Sequence, residues 1–134
     1  MSTLLVKTFL AVAGVIAVGL GTLILLAPVA FYASYGLDLT SQVTLLNELR
    51  SHALSLIGIG TFIGAGAFIS RLVSPALAIA AFFYLSYGLS RLIGVVLDGW
   101  PTQGLVISGA VELAVGSLAL VIHISRGQSA LPTR

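Results

Sequence analysis

The chain lacks cysteine and carries very little charge. Of its 134 residues, 58% are hydrophobic and only 7% are charged, whereas a soluble domain usually has about 25% charged residues. The absence of cysteine excludes disulfides, iron–sulfur clusters and thiolate zinc sites. A single soluble core of this size cannot hide so much apolar surface, so lipid must solvate most of the chain.

Clusters of basic residues are also missing. The net charge of +2 arises from so few ionisable groups that it does not indicate nucleic acid binding. The two histidines, His52 and His123, are expected toward opposite membrane faces, so no closed set of metal ligands can be built from them. We therefore expect no metal, no cofactor and no nucleic acid partner.

What the chain does contain is four long apolar runs, at about residues 4–26, 45–69, 75–97 and 103–124. Each is close to the roughly 20 residues that a helix needs to cross a bilayer. None alternates with a period of two, as a barrel strand would. The first run is longer than the apolar core of a signal peptide, so we expect it to remain as a span. The sequence predicts an all-α integral membrane four-helix bundle, forming a single transmembrane domain over residues 1–134.

Charges between the runs predict the orientation of the helices. One side of the predicted bundle has basic residues without acids: Lys7, Arg71, Arg126 and Arg134. Asp38 and Asp98 fall on the other side. Because basic loops favour the cytoplasmic side, we predict an up-down-up-down bundle with both termini in the cytoplasm. In a bacterium, this arrangement would be that of a multi-pass protein of the inner membrane, surrounded by membrane lipids.

Aromatic residues lie at the predicted outer boundary of the bundle. Tyr32 and Tyr35 follow the first run, and Trp100 follows the third. Tyrosine and tryptophan are enriched where a membrane meets water, because their rings are amphipathic. The pattern predicts that these three side chains form an aromatic belt at that boundary.

Two charged residues lie inside predicted spans, where charge costs roughly 2.5–3.5 kcal/mol. At 1.5 Å per residue, Arg91 is about 9 Å below the outer boundary and Glu112 is about 14 Å below it. Side chains lean toward the N-terminus of their helix. Because the third and fourth helices are expected to run in opposite directions, the two side chains should point at each other. We predict an Arg91–Glu112 pair.

Further polar residues are predicted to lie near this pair. On the second helix, Glu48 and His52 are four residues apart and share a face, and Asn47 and Arg50 share a neighbouring face. On the third helix, Tyr87 and Asp98 belong to the same stripe as Arg91. The predicted site in the outer half of the bundle comprises Asn47, Glu48, Arg50, His52, Tyr87, Arg91, Asp98 and Glu112.

The order of these motifs resembles a known family. Asn47-Glu48-Leu49-Arg50 opens the second run, Gly88-x-x-Arg91-x-x-Gly94 precedes Asp98-Gly99, and Glu112 lies in the fourth run. The pattern looks like an uncharacterised bacterial family, a domain of unknown function that is broadly similar to DoxX-like four-helix membrane proteins. The resemblance covers nearly the whole chain. It implies an integral membrane protein with this polar set, and no established activity.

Three functions are compatible with such a cluster. It could hold the head of an amphiphile such as a lipid, isoprenoid or quinone, with Arg91 and Arg50 on a phosphate or carbonyl. Alternatively, the pair fixes helix register, and the protein packs within a larger membrane complex or homo-oligomer. The third function is acid–base catalysis on an isoprenoid-like substrate by Glu112 or Glu48 with His52. Since no catalytic motif is present, no catalytic residue is assigned and an enzyme is not the favoured interpretation.

Overall fold

The computed structural model describes residues 2–128, which fold into four long helices and one short helix. In chain order these are α1 (Thr3–Leu26), α2 (Pro28–Ala33), α3 (Val43–Phe68), α4 (Val73–Asp98) and α5 (Gln103–Gln128), with a 3-10 turn at Ser70–Leu72 before α4. The four long helices are apolar enough to cross a membrane. The prediction of an all-helical chain with four candidate spans is confirmed.

The ends of the long helices mostly agree with the ends predicted from the apolar runs. Most ends lie within two residues of the apolar runs, but α5 continues to Gln128, beyond the end of its run at Ile124. The short helix α2 was not predicted. Pro28 ends α1 and occupies the first position of α2, where its missing N–H costs nothing and its fixed φ suits a helix.

Small residues allow α1 and α3 to pack closely. A methyl group added to Gly14 would lie 2.7 Å from the carbonyl oxygen of Gly60, and one added to Gly21 would lie 2.7 Å from that of Ala53. Residue numbers therefore rise along α1 as they fall along α3. In lipid, burial of apolar surface does little to make helices associate, because the lipid tails are apolar as well. Close approach of the backbones provides the packing energy instead.

The same arrangement joins α4 to α5. A methyl group on Gly88 would lie 2.6 Å from Cγ of Leu113, and one on Gly116 would lie 2.7 Å from the backbone nitrogen of Leu85. Within residues 2–128, α5 packs along α4 and makes little contact with α1 or α3. The bundle therefore consists of two close helix pairs, α1–α3 and α4–α5, which meet mainly where α4 lies against α3 and α1.

A buried hydrogen bond also connects the two helix pairs. The hydroxyl of Tyr84, on α4, donates to the carbonyl oxygen of Ala13, on α1, at 2.6 Å. We expect Tyr84→Phe to lower the free energy of unfolding by about 0.5–1.5 kcal/mol, the usual net value of one hydrogen bond. The measurement is reversible unfolding in bicelles. Ser86→Ala, which removes an exposed hydroxyl from the same helix, is the control, and equal effects of the two changes would contradict the prediction.

Candidate functional site

The centre of the site is an ion pair between α4 and α5. Arg91 donates from Nε to Oε2 of Glu112 at 2.7 Å and from Nη2 to Oε1 at 2.9 Å, which confirms the predicted pair. This bidentate geometry is the strong form of arginine–carboxylate pairing. The Arg91 side chain is 30% exposed and that of Glu112 is 13% exposed. Since both charges are largely removed from water, each depends on the other for compensation.

Two glycines of α5 make room for side chains at the site. A methyl group on Gly109 would lie 3.0 Å from Cδ of Arg91, and one on Gly104 would lie 2.9 Å from Cε1 of Tyr35. Because neither glycine has a side chain, the α5 backbone can lie directly against Arg91 and Tyr35. Gly109 thus leaves room for the Arg91 side chain one turn before Glu112, on the face of α5 that meets α4.

A cavity of about 270 Å³ lies beside the ion pair, between the two helix pairs. Its wall includes six aromatic side chains: Phe31, Tyr32, Tyr35, Phe83, Tyr84 and Tyr87. Aliphatic side chains of α1 and α5, including Ile16, Leu20, Ile107 and Val111, line it as well. A cavity of about 150 Å³ in another protein holds benzene. The cavity is therefore large enough for a ring with substituents.

Polar side chains other than the ion pair also reach the cavity wall. His52, on α3, shares a hydrogen bond with the hydroxyl of Tyr87, on α4, through Nε2, and both line the cavity. The hydroxyl of Ser108 donates to the carbonyl oxygen of Gly104 at 3.0 Å. Within residues 2–128, no three His, Cys, Asp or Glu side chains gather closely enough to hold a metal ion. The arrangement is thus suited to hydrogen bonding inside an apolar enclosure.

Tyr32 and Tyr35 bring hydroxyl groups to the same wall. Partial burial raises the pKa of Tyr32, and the neighbouring charge of Arg91 opposes this only in part. A raised pKa keeps the phenol protonated at neutral pH, so Tyr32 remains a hydrogen-bond donor. Among the residues that the structure describes, neither hydroxyl has a hydrogen-bond partner.

Half of the sequence-predicted site residues line this cavity. His52, Tyr87, Arg91 and Glu112 do so. Asp98 instead lines a second cavity of about 210 Å³, at the α4–α5 turn, which Arg91 also lines. Arg91 therefore lies between two cavities.

The predicted residues at the start of α3 do not line the cavity. Asn47 and Glu48 are exposed, and Arg50 donates from Nη1 to the carbonyl oxygen of Leu25, near the end of α1, at 2.7 Å. Glu48 shares the face of His52, but it lies about 6 Å farther along the helix and does not line the cavity. Arg50 therefore does not line the cavity beside Arg91, because its guanidinium binds the end of α1. Contact between Arg50 and a ligand stays a prediction.

The aromatic wall contributed by α2 was missed from the sequence. Tyr32 and Tyr35, predicted as boundary residues, line the cavity together with Phe31. The ring of Phe31 lies edge-on to both, with centroid distances of 5.2 Å to Tyr32 and 5.5 Å to Tyr35. Pro28 was the available signal, since it starts the short helix that packs against α1 and α3. This helix carries Phe31 and Tyr32, and Tyr35 follows shortly after its end at Ala33.

Comparison with known proteins places the chain in a family. Residues 5–123 match the family described as Domain of unknown function (DUF4345). Because the match covers most of the chain, the protein belongs to this family, in agreement with the predicted membership of an uncharacterised family. No curated protein and no solved structure matches the chain. The function must therefore be argued from the cavity.

Proposed function

We propose that this member of the family binds the head group of a membrane amphiphile in the cavity beside Arg91 and Glu112. The observation that carries the proposal is a cavity with a bidentate ion pair at one side and aromatic and aliphatic walls elsewhere. Small-molecule sites generally combine mostly apolar walls with a few oriented polar groups. A lipid, isoprenoid or quinone matches this composition, because its head accepts hydrogen bonds and its tail is apolar.

The packing of the helices supports a lateral route for the tail. Both α1 and α5 line the cavity, yet within residues 2–128 these helices pack against other partners rather than against each other. On α5, Ile107 is 56% exposed and Val111 is 46% exposed, so the cavity wall continues onto the apolar outer surface. We propose that the tail leaves between α1 and α5 into the lipid.

The orientation in the membrane is part of the same proposal. The four spans would cross up-down-up-down in the bacterial inner membrane, with both termini in the cytoplasm. The opposite chain order of the contacts in each helix pair supports this arrangement, and the positions of Lys7, Arg71 and Arg126 support the orientation. The cavity would then lie in the outer half of the bilayer. Similarity to DoxX-like proteins stays a prediction.

Filling the cavity tests the proposal without changing any charge. We expect Val111→Trp to reduce the amphiphile that co-purifies with the protein by about tenfold, equivalent to 1.4 kcal/mol of binding free energy, because an indole would occupy the space of the head group. Native mass spectrometry and organic extraction from nanodiscs give the bound amount.

The matched control is Val121→Trp, which adds the same ring to a position on α5 that is 61% exposed and outside the cavity. This variant is expected to retain the amphiphile. A wild-type protein without stoichiometric amphiphile, or a Val111→Trp protein that keeps it in full, would overturn the proposal.

A further inference from the structure

The charges around the cavity bear on the kind of head group that it accepts. Among its described lining residues, Arg91 and Glu112 carry the permanent charges. Both oxygens of the Glu112 carboxylate accept hydrogen bonds from Arg91, so the pair contributes no net charge. An anionic head group at Arg91 would have to compete with this carboxylate and lie beside a like charge, which is unfavourable in a medium of low dielectric.

The remaining hydrogen-bonding groups favour an uncharged oxygen. Arg91 uses Nε and Nη2 for Glu112, and within residues 2–128 its Nη1 has no partner. Tyr32 and Tyr35 line the same cavity as this guanidinium. These groups are donors, and together they can bind a carbonyl or hydroxyl oxygen without disturbing the ion pair.

The shape of the wall favours a flat ring. Phe83 lies 4.8 Å from Tyr87 and 5.3 Å from Tyr84, measured between ring centroids, and the rings of α2 line the cavity as well. Aromatic groups gain energy from offset or edge-on contact with another ring beyond simple burial of area. A branched phosphate head group has no such surface.

We infer that the cavity selects an uncharged ring head group that bears a carbonyl or hydroxyl oxygen and is attached to an apolar tail. The inference rests on the proposed function and narrows the class of ligand. The oxygen is bound by Arg91 and the tyrosine hydroxyls, the ring lies among the aromatic side chains, and the ion pair with Glu112 discriminates against anions.

Two probes with the same tail test the selectivity. Binding of 2-decyl-1,4-benzoquinone and of decyl phosphate is measured at equilibrium with the full chain in phosphatidylcholine nanodiscs. We expect the quinone probe to bind at least about tenfold more tightly. Equal affinities, or tighter binding of decyl phosphate, would overturn the inference and leave the proposed function intact. Binding of neither probe would overturn the inference, and a wild-type protein that also lacks co-purifying amphiphile would overturn the proposed function as well.

A change at Glu112 tests the physical reason for the selectivity. Glu112→Gln keeps the shape of the side chain but leaves Arg91 uncompensated, so affinity for decyl phosphate should rise by about tenfold or more. Glu48→Gln removes an exposed acid from outside the cavity and should leave both affinities unchanged. Should Glu112→Gln not fold, the double variant Arg91→Gln/Glu112→Gln removes both charges and should still prefer the quinone probe. Unchanged phosphate affinity in a folded Glu112→Gln protein, or a phosphate preference in the double variant, would overturn the inference.

Discussion

Glu112→Ala is expected to lower the free energy of unfolding by about 3 kcal/mol, the lower end of the cost of leaving one member of a buried ion pair without its partner, because this pair is only partly buried. The guanidinium of Arg91 donates twice to this carboxylate, and in a lipid-exposed bundle water offers little replacement. Unfolding in bicelles, monitored by steric trapping or by denaturing detergent, measures the loss. Glu48→Ala removes an acid from the exposed start of α3 and should change stability by no more than about 0.5 kcal/mol.

The double variant Arg91→Met/Glu112→Leu separates stability from binding. Replacing a whole buried ion pair by apolar side chains of similar size is often neutral or stabilising, so this protein should be at least as stable as the wild type. It should nevertheless hold less of the bound amphiphile than the wild type, because the guanidinium donor is gone and only the hydroxyls of Tyr32 and Tyr35 remain. A stable double variant that binds as much amphiphile as the wild type would contradict the role of the ion pair in binding, and it would indicate that the pair only fixes the register of α4 and α5.

Gly14→Ala is expected to destabilise the protein by about 1–3 kcal/mol, as overpacking does. The added methyl group would lie 2.7 Å from backbone atoms of both Gly60 and Gly64. Backbone atoms cannot rotate away as a flexible side chain can, so α1 and α3 would have to separate. Because these helices form one of the two close pairs, their separation would loosen the half of the bundle that carries α2.

Two other glycines provide controls for this effect. Within residues 2–128, a methyl group added to Gly19, on α1, or to Gly58, on α3, would meet no atom within 4 Å outside its own stretch of helix. Gly19→Ala and Gly58→Ala should therefore leave the free energy of unfolding unchanged or raise it slightly, by up to about 1 kcal/mol, because alanine is the better helix former. Equal destabilisation by all three substitutions would show that close approach of the backbones is not the cause.

Much of the helical framework could be predicted because membrane helices are long and apolar. Hydropathy located all four candidate spans. The separation of the four helices into two pairs could not be predicted in this way. It depends on which glycines meet backbone atoms of a partner helix, as Gly14 and Gly88 do, and which face open space, as Gly19 does. That difference is a property of the packed bundle and not of any local pattern.

The candidate site was predictable to a similar extent. The Arg91–Glu112 pair followed from helix rise and side-chain direction, because both residues lie on regular helices that meet near them. Spacing alone could not show that the cavity wall includes His52 but not Glu48, one turn away. Nor could it show that Arg50 would bind the end of α1. These outcomes depend on where α2 and the end of α1 lie in three dimensions.

The division into two helix pairs has a consequence for the order of assembly. Each pair consists of long helices that follow one another along the chain, so α1–α3 and α4–α5 can each form soon after membrane insertion from contacts between neighbouring long segments. The cavity is enclosed only when these two preassembled hairpins dock. A molecule that occupies the cavity favours the docked state by mass action. Under the proposed function, the bound amphiphile would therefore stabilise the docked arrangement of the two helix pairs.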